Sequence, residues 1–185
     1  MLIKSLQTLG AAVAFATMIS LSTPVMAAEE KAPLTISVVD VQMLLEKATA
    51  VTKIRDQIDK KAEEFKKEFT KKEEYFKKKY EDLEKQKTVL SKEAYDKKTE
   101  DLQKELADAQ KKVQENRTSL DKAHNEAMQK VEAAFTDIVK EEAKKNNVKI
   151  VIHKSQTVYA EDSLDITAKV IEALNKKLPS VDVKF

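Results

Sequence analysis

His124 and His153 are the only imidazoles in this 185-residue chain, which has no cysteine. Neither has a carboxylate or a second histidine placed at i, i+4 beside a matching partner, so both read as solvent-facing or base residues and no metal site is expected. No nucleophile stands with a positioned base, which leaves acyl or phosphoryl transfer without residues to run on, and no enzyme activity is expected. The single glycine, Gly10, lies in an N-terminal apolar run, so a Gly-rich loop able to cradle phosphate is excluded, and with it an ATP-driven cycle. Lys+Arg number 34 against 32 Asp+Glu, so the overall field does not point to nucleic acid. No cofactor is implied, and what function there is must run on binding energy.

The residues suited to binding are aromatic and cationic. Phe65, Phe69, Tyr75, Phe76 and Tyr80 crowd one stretch, and Val89, Leu90 and Tyr95 follow close behind. Large apolar groups on a thin helical arm cannot all be buried, and where partly exposed they can hold an unfolded chain weakly. We take these eight as the candidate contact residues. Lys66-Lys67, Lys71-Lys72 and Lys77-Lys78-Lys79 alternate with Glu63-Glu64, Glu73-Glu74 and Glu81. This spacing reads first as a solvated helix face with i, i+4 pairs, and second as a surface for acidic clients or transient contact with an anionic membrane. Asn116-Arg117-Thr118 fits a glycosylation sequon but lies inside a helical pattern, where Asn116 is better read as a polar residue of the seam.

These residues sit on a stretch from about Val51 to Asn146 that lacks Gly and Pro altogether. Its second half places Tyr95, Thr99, Leu102, Leu106, Ala109, Val113, Asn116, Leu120, Ala123, Ala127, Val131, Ala134 and Ile138 at alternating steps of three and four, an a/d heptad seam. The first half repeats it with faults: Val51, Ile54, Ile58, Ala62, Phe65, Phe69, then Lys72 where an apolar residue is due, then Phe76, Tyr80 and Leu83. Extra steps of four locally unwind a supercoil. The pattern slackens at 87–90 and restarts after Ser91, a good N-cap with Glu93 at the positive end of the helix dipole. Residues 51–146 are therefore expected to form a helical hairpin arm with its turn near 88–91. Counting back from that turn sets Asn116 opposite 62–65 and Lys72 opposite 107–109, two thin places where the arm should flex.

The flanks, 28–50 and 147–185, are expected to make a small β body. Leu34 to Val41 reads as a strand, Asn146-Asn147 stops the second helix, and Val148 to Ile152 reads as a second strand. A third short strand is expected at Thr157-Val158-Tyr159-Ala160, then a helix capped by Asp165 and ended by Pro179. Val181 to Phe185 alternates with period two and reads as an edge strand or a frayed tail. So few elements bury too little surface to steady a long arm, and association of the bodies is the natural remedy. Residues 1–27 carry Lys4, an apolar run from Leu6 to about Leu21, and Val25-Met26-Ala27, and read as a secretory signal peptide removed before Ala28.

The entry Ile36 to Gln42, the turn segment Leu90-Ser91-Lys92-Glu93-Ala94-Tyr95, the return strand Val148 to Ile152, and Val158-Tyr159-Ala160 followed by Asp165-Ile166-Thr167 resemble, in order, the Skp/OmpH family of periplasmic chaperones. That resemblance implies an α+β fold with a long antiparallel coiled-coil hairpin projecting from a small β-strand base. It further implies a homotrimer whose strands form a barrel-like body, and ATP-independent holding of unfolded outer-membrane proteins in the periplasm for delivery to the outer membrane. A structural or adaptor coiled coil spanning part of the cell envelope is the alternative, and would bind one defined partner around Val89 to Tyr95.

Overall fold

The computed structural model describes residues 34–185, so the leader expected over 1–27 lies outside the described residues. The elements run β1 (Ile36–Val39), α1 (Val41–Lys47), α2 (Thr49–Gln86), α3 (Lys92–Lys145), β2 (Ile150–His153) and α4 (Thr167–Lys177), with two 3₁₀ turns between β2 and α4. At 1.5 Å per residue, α2 extends about 57 Å and α3 about 81 Å. They run antiparallel: Lys79 of α2 meets Glu105 of α3, and Gln86 meets Lys98 nearer the turn. The result is an α+β fold in which a long helical hairpin projects from a small strand-based body.

Both ends of the arm return to one place through a parallel pair. Ile36, Ser37, Val38 and Val39 of β1 stand beside Ile150, Val151, Ile152 and His153 of β2. Behind the pair lies the main core, in which Val39, Leu44, Ile54, Val131, Ile138, Val170 and Leu174 are buried. Leu44 comes from α1, Ile54 from α2, Val131 and Ile138 from α3, and Val170 and Leu174 from α4, so one small core holds every helix.

Hydrogen bonds stitch the element ends together. Asp40 caps α1 by accepting from the Met43 N–H at 3.0 Å, while its own N–H donates to Thr167 Oγ1 at 2.8 Å. The Asp165 carboxylate accepts from the Thr167 N–H at 2.9 Å and from Lys154 Nζ at 2.6 Å. Burial pushes the Asp165 carboxyl upward, but these bonds outweigh it and hold the group below its ordinary value. Helix α2 follows a break at Ala48, whose backbone is extended and whose side chain offers no cap. Asn175 of α4 supplies one instead, its Oδ1 accepting from Thr49 N–H at 2.8 Å and from Thr49 Oγ1 at 3.1 Å. At the far end of α3, Asn147 takes a φ of 54°, the left-handed conformation usually left to glycine. Its N–H bonds the Lys144 carbonyl while the Val148 N–H bonds that of Ala143, the paired closure of a Schellman motif.

Three local expectations change. Thr157 to Ala160 forms no strand in the single chain, because β2 pairs only with β1 among the described residues, and Val158 and Tyr159 project fully into solvent. Asp165 lies one residue outside the N-cap position, where Ile166 stands, although it still bonds the Thr167 amide. Val181 to Phe185 is neither an edge strand nor a frayed tail. Val181 is buried in the core, Val183 packs against it, and Gln57 of α2 bonds the segment's backbone.

The Asn175 cap bears on the whole arm. Replacing Asn175 with Ala should lower stability to urea by about 1 kcal/mol, whereas Asn175→Asp, which keeps the acceptor, should retain most of it. Equal urea midpoints for the Ala variant and the parent would show that water caps Thr49 equally well.

Candidate functional site

Along the arm, tight packing is confined to two places. Near the base, Ile54 meets Ala127 and Val131; near the turn, Phe76, Leu83 and Leu102 form a second cluster flanked by Tyr95, Leu106 and Ala109. Between them no side chain of α2 from 55 to 75, nor of α3 from 103 to 122, is buried. The reason lies in what faces what. Phe76 packs with Leu102 and Leu106 of α3, whereas Phe65 and Phe69 share their groove with Val113, Asn116 and Leu120, so a polar amide stands among the residues facing those two rings.

A groove of about 310 Å³ opens there, lined by Ala62, Phe65, Phe69, Val113, Asn116 and Leu120 together with Lys72, Lys112 and Arg117. A second groove, about 480 Å³, shares Lys72, Ala109 and Lys112 with the first and continues past Tyr75 and Phe76 toward the turn. Both thin places, Asn116 beside Ala62 and Phe65 and Lys72 beside Ala109, thus lie on one track.

The candidate contact residues divide by exposure. Phe69 is 44% exposed, Tyr75 and Tyr80 are similarly open, and Val89 at the turn is 81% exposed. Phe65 and Leu90 are half-buried. Phe76, at 8% exposure, is a core residue of the outer cluster and presents almost no surface. Tyr95 packs against that cluster and donates its hydroxyl to Glu84 at 3.1 Å. Burial first, then the Glu84 carboxylate, pushes its phenol above the ordinary value.

Cations stand over several rings. Lys61 Nζ lies 5.0 Å from the Phe65 ring centroid and Lys79 Nζ 4.8 Å from that of Tyr75. Glu105 of α3 ties the latter pair across the arm, accepting from Lys79 at 2.7 Å and from the Tyr75 hydroxyl at 3.0 Å. The Lys79 hydrogen bond, then that of Tyr75, holds the Glu105 carboxyl below its ordinary value, and Glu105 in turn raises Lys79. Glu105 is absent from the candidate contact residues, and Lys79 enters the sequence reading only within the Lys77-Lys78-Lys79 run. The signal was present in the i, i+4 spacing of Tyr75 and Lys79 and in the same count across the turn that places Asn116. His124 and His153 are both exposed, and among the described residues no group of His, Cys, Asp or Glu is gathered to hold a metal. The surface can bind by apolar contact, cation–π contact and charge.

Residues 35–174 match the family described as outer membrane protein (OmpH-like). No curated protein matches the chain in sequence. In structure the chain is similar to a proposed outer membrane chaperone (OmpH-like) from Caulobacter crescentus CB15, with a TM-score of 0.77 at 14% identity over 83% of this chain and 90% of the other. At that identity the likeness speaks for the fold.

Two outcomes follow from the unevenly packed arm. Backbone amides at 65–72 and 113–120 should exchange with deuterium faster than those around Leu83 and Leu102, and equal protection along the arm would refute a thin section. The Glu105 pair should leave a pH signature. A carboxyl held below its ordinary 4.5 stabilises the fold above that pH and loses the effect as pH falls through the lowered value. The melting temperatures of the parent and Glu105→Gln should therefore differ at neutral pH and converge in acid below that value; a gap independent of pH would assign the effect to packing.

Proposed function

Since the chain belongs to the OmpH-like outer membrane protein family, we propose that it is a holdase chaperone, binding unfolded outer-membrane proteins in the periplasm without ATP and keeping them soluble. The observation that carries this reading is the row of half-exposed rings, Phe69, Tyr75 and Tyr80, on a lysine-rich helix whose reach is far longer than the body requires. Contacts of this kind are individually weak and numerous. Many of them retain a chain as long as it is unfolded and give it up when folding into the membrane is more favourable.

The proposal extends to a homotrimer. Leu34, Ile150, Val158 and Tyr159 are exposed on the body, and β2 offers an outer edge that nothing in the described chain covers. Apolar residues beside an open strand edge favour association, which would also surround the arms' grooves with neighbouring arms. The binding set we propose is Phe65, Phe69, Tyr75, Tyr80, Val89 and Leu90, with Phe76 and Tyr95 serving to hold the helices together.

Light scattering on the protein lacking 1–27, alone and then mixed with a urea-unfolded outer-membrane barrel protein, tests both parts. The expected result is a trimer that holds the barrel protein in a defined soluble complex without nucleotide. A monomer or dimer beside a precipitated barrel protein would sink the reading and favour an envelope adaptor working through the turn.

A further inference from the structure

The segment Val181 to Phe185 is held on α2 both by its backbone and by its alternate apolar side chains. Gln57 makes paired bonds to its backbone: Nε2 donates to the Val181 carbonyl at 2.9 Å, and Oε1 accepts from the Val183 N–H at 3.2 Å. A single amide side chain thereby takes the i, i+2 donor and acceptor that an extended chain presents on one edge, as an adjacent strand would. The apolar residues of the segment alternate. Val181 is buried and Val183 packs against the same core, while Asp182 and Lys184 are exposed. Phe185, next in the alternation, is half-exposed with Lys61 Nζ 5.9 Å from its ring.

The path has a direction. Contacts move from Gln57 to Lys61 as the segment runs from Val181 to Phe185, so it advances along α2 from the base toward the turn. Lys61 also stands over Phe65, and Phe65 lines the mid-arm groove. Through Lys61, Phe185 therefore comes up to the base end of the groove. It also lies outside residues 35–174, the part of the chain that matches the family.

We propose that Gln57, Lys61 and the groove at Phe65 and Phe69 form one binding track for an extended peptide with apolar residues at alternate positions, and that Val181–Phe185 is a built-in competitor occupying its base end. This rests on the holdase reading and names the feature recognised, since strands of outer-membrane barrels alternate with that period. Tethering keeps the segment at millimolar effective concentration, so a short stray peptide is excluded while a long unfolded barrel, engaging several points, displaces it. Occupancy lowers the apparent affinity by the fraction of molecules left open.

The test uses the double variant Val183→Ser/Phe185→Ser, which frees the segment beyond Val181 but keeps Val181 in the core, and the same variant with Gln57→Leu added. The probes are a fluorescent peptide with the sequence of residues 179–185 and a urea-unfolded outer-membrane barrel protein. The double variant should bind both about 3- to 10-fold more tightly than the parent, at a melting temperature within a few degrees, and adding Gln57→Leu should abolish the gain. Unchanged or weaker binding of both probes by the double variant would overturn the proposal and leave the segment as packing for the base. If parent and double variant hold the barrel protein soluble equally well and the peptide does not bind, the track falls and the holdase reading stands. If the double variant captures the peptide in a Gln57-dependent way while neither protein holds the barrel protein, the holdase reading falls and the peptide site stands.

Discussion

The parallel pairing of β1 with β2 fixes both ends of the arm at one place in the body. Parallel strands cannot be joined by a tight turn, and here the crossover between them is the whole arm. Loop-closure entropy makes so distant a pairing costly for a flexible chain. A helical hairpin removes most of that cost, because once α2 and α3 lie antiparallel their outer ends are already neighbours. The arm thus assembles the body that anchors it, and the two cannot be thought of as independent units.

The body is small, and α4 does much to make it sufficient. It contributes Val170 and Leu174 to the core, Thr167 to the Asp40 amide, Asn175 to the start of α2, and Lys177 to Glu141 of α3 at 2.8 Å. Asparagine twice takes a part that another residue would ordinarily fill. Asn147 stands in the left-handed position where glycine is commonest, and Asn175 caps a helix whose own N-cap, Ala48, has no side-chain acceptor. A chain without glycine in its described residues still has to turn and cap its helices, and the short carboxamide can both adopt a positive φ and accept a hydrogen bond.

Sealing the seam and keeping a binding surface are opposed demands on the arm. Packing at the base and near the turn holds the helices together, while the interval between leaves Phe65 and Phe69 beside a groove. Asn116, a polar residue, and Lys72, a charged one, both line that groove. Restoring apolar residues there would give a steadier arm and a poorer contact surface.

Much of this was legible in local pattern. Heptad steps disclosed the hairpin, Ser91 and Glu93 the start of α3, Asn146-Asn147 its end, and β-branched runs the two strands. These are short-range properties, set by backbone sterics, capping and the period at which apolar residues recur. Thr157 to Ala160 has the same β-branched character yet pairs with no strand among the described residues of the single chain, since β propensity describes a segment and pairing describes two. Nor could α2 alone say that Phe76 would be buried and Phe69 open, since that depends on how closely the residues of α3 approach each ring. The docking of Val181 to Phe185 on Gln57 likewise joins residues remote in sequence. The sequence by itself determined which segments are helical, where they stop and which face of each is apolar. Only the tertiary structure decided which apolar residues are used up in holding the arm and which remain to bind, because burial is a property of the two surfaces that meet.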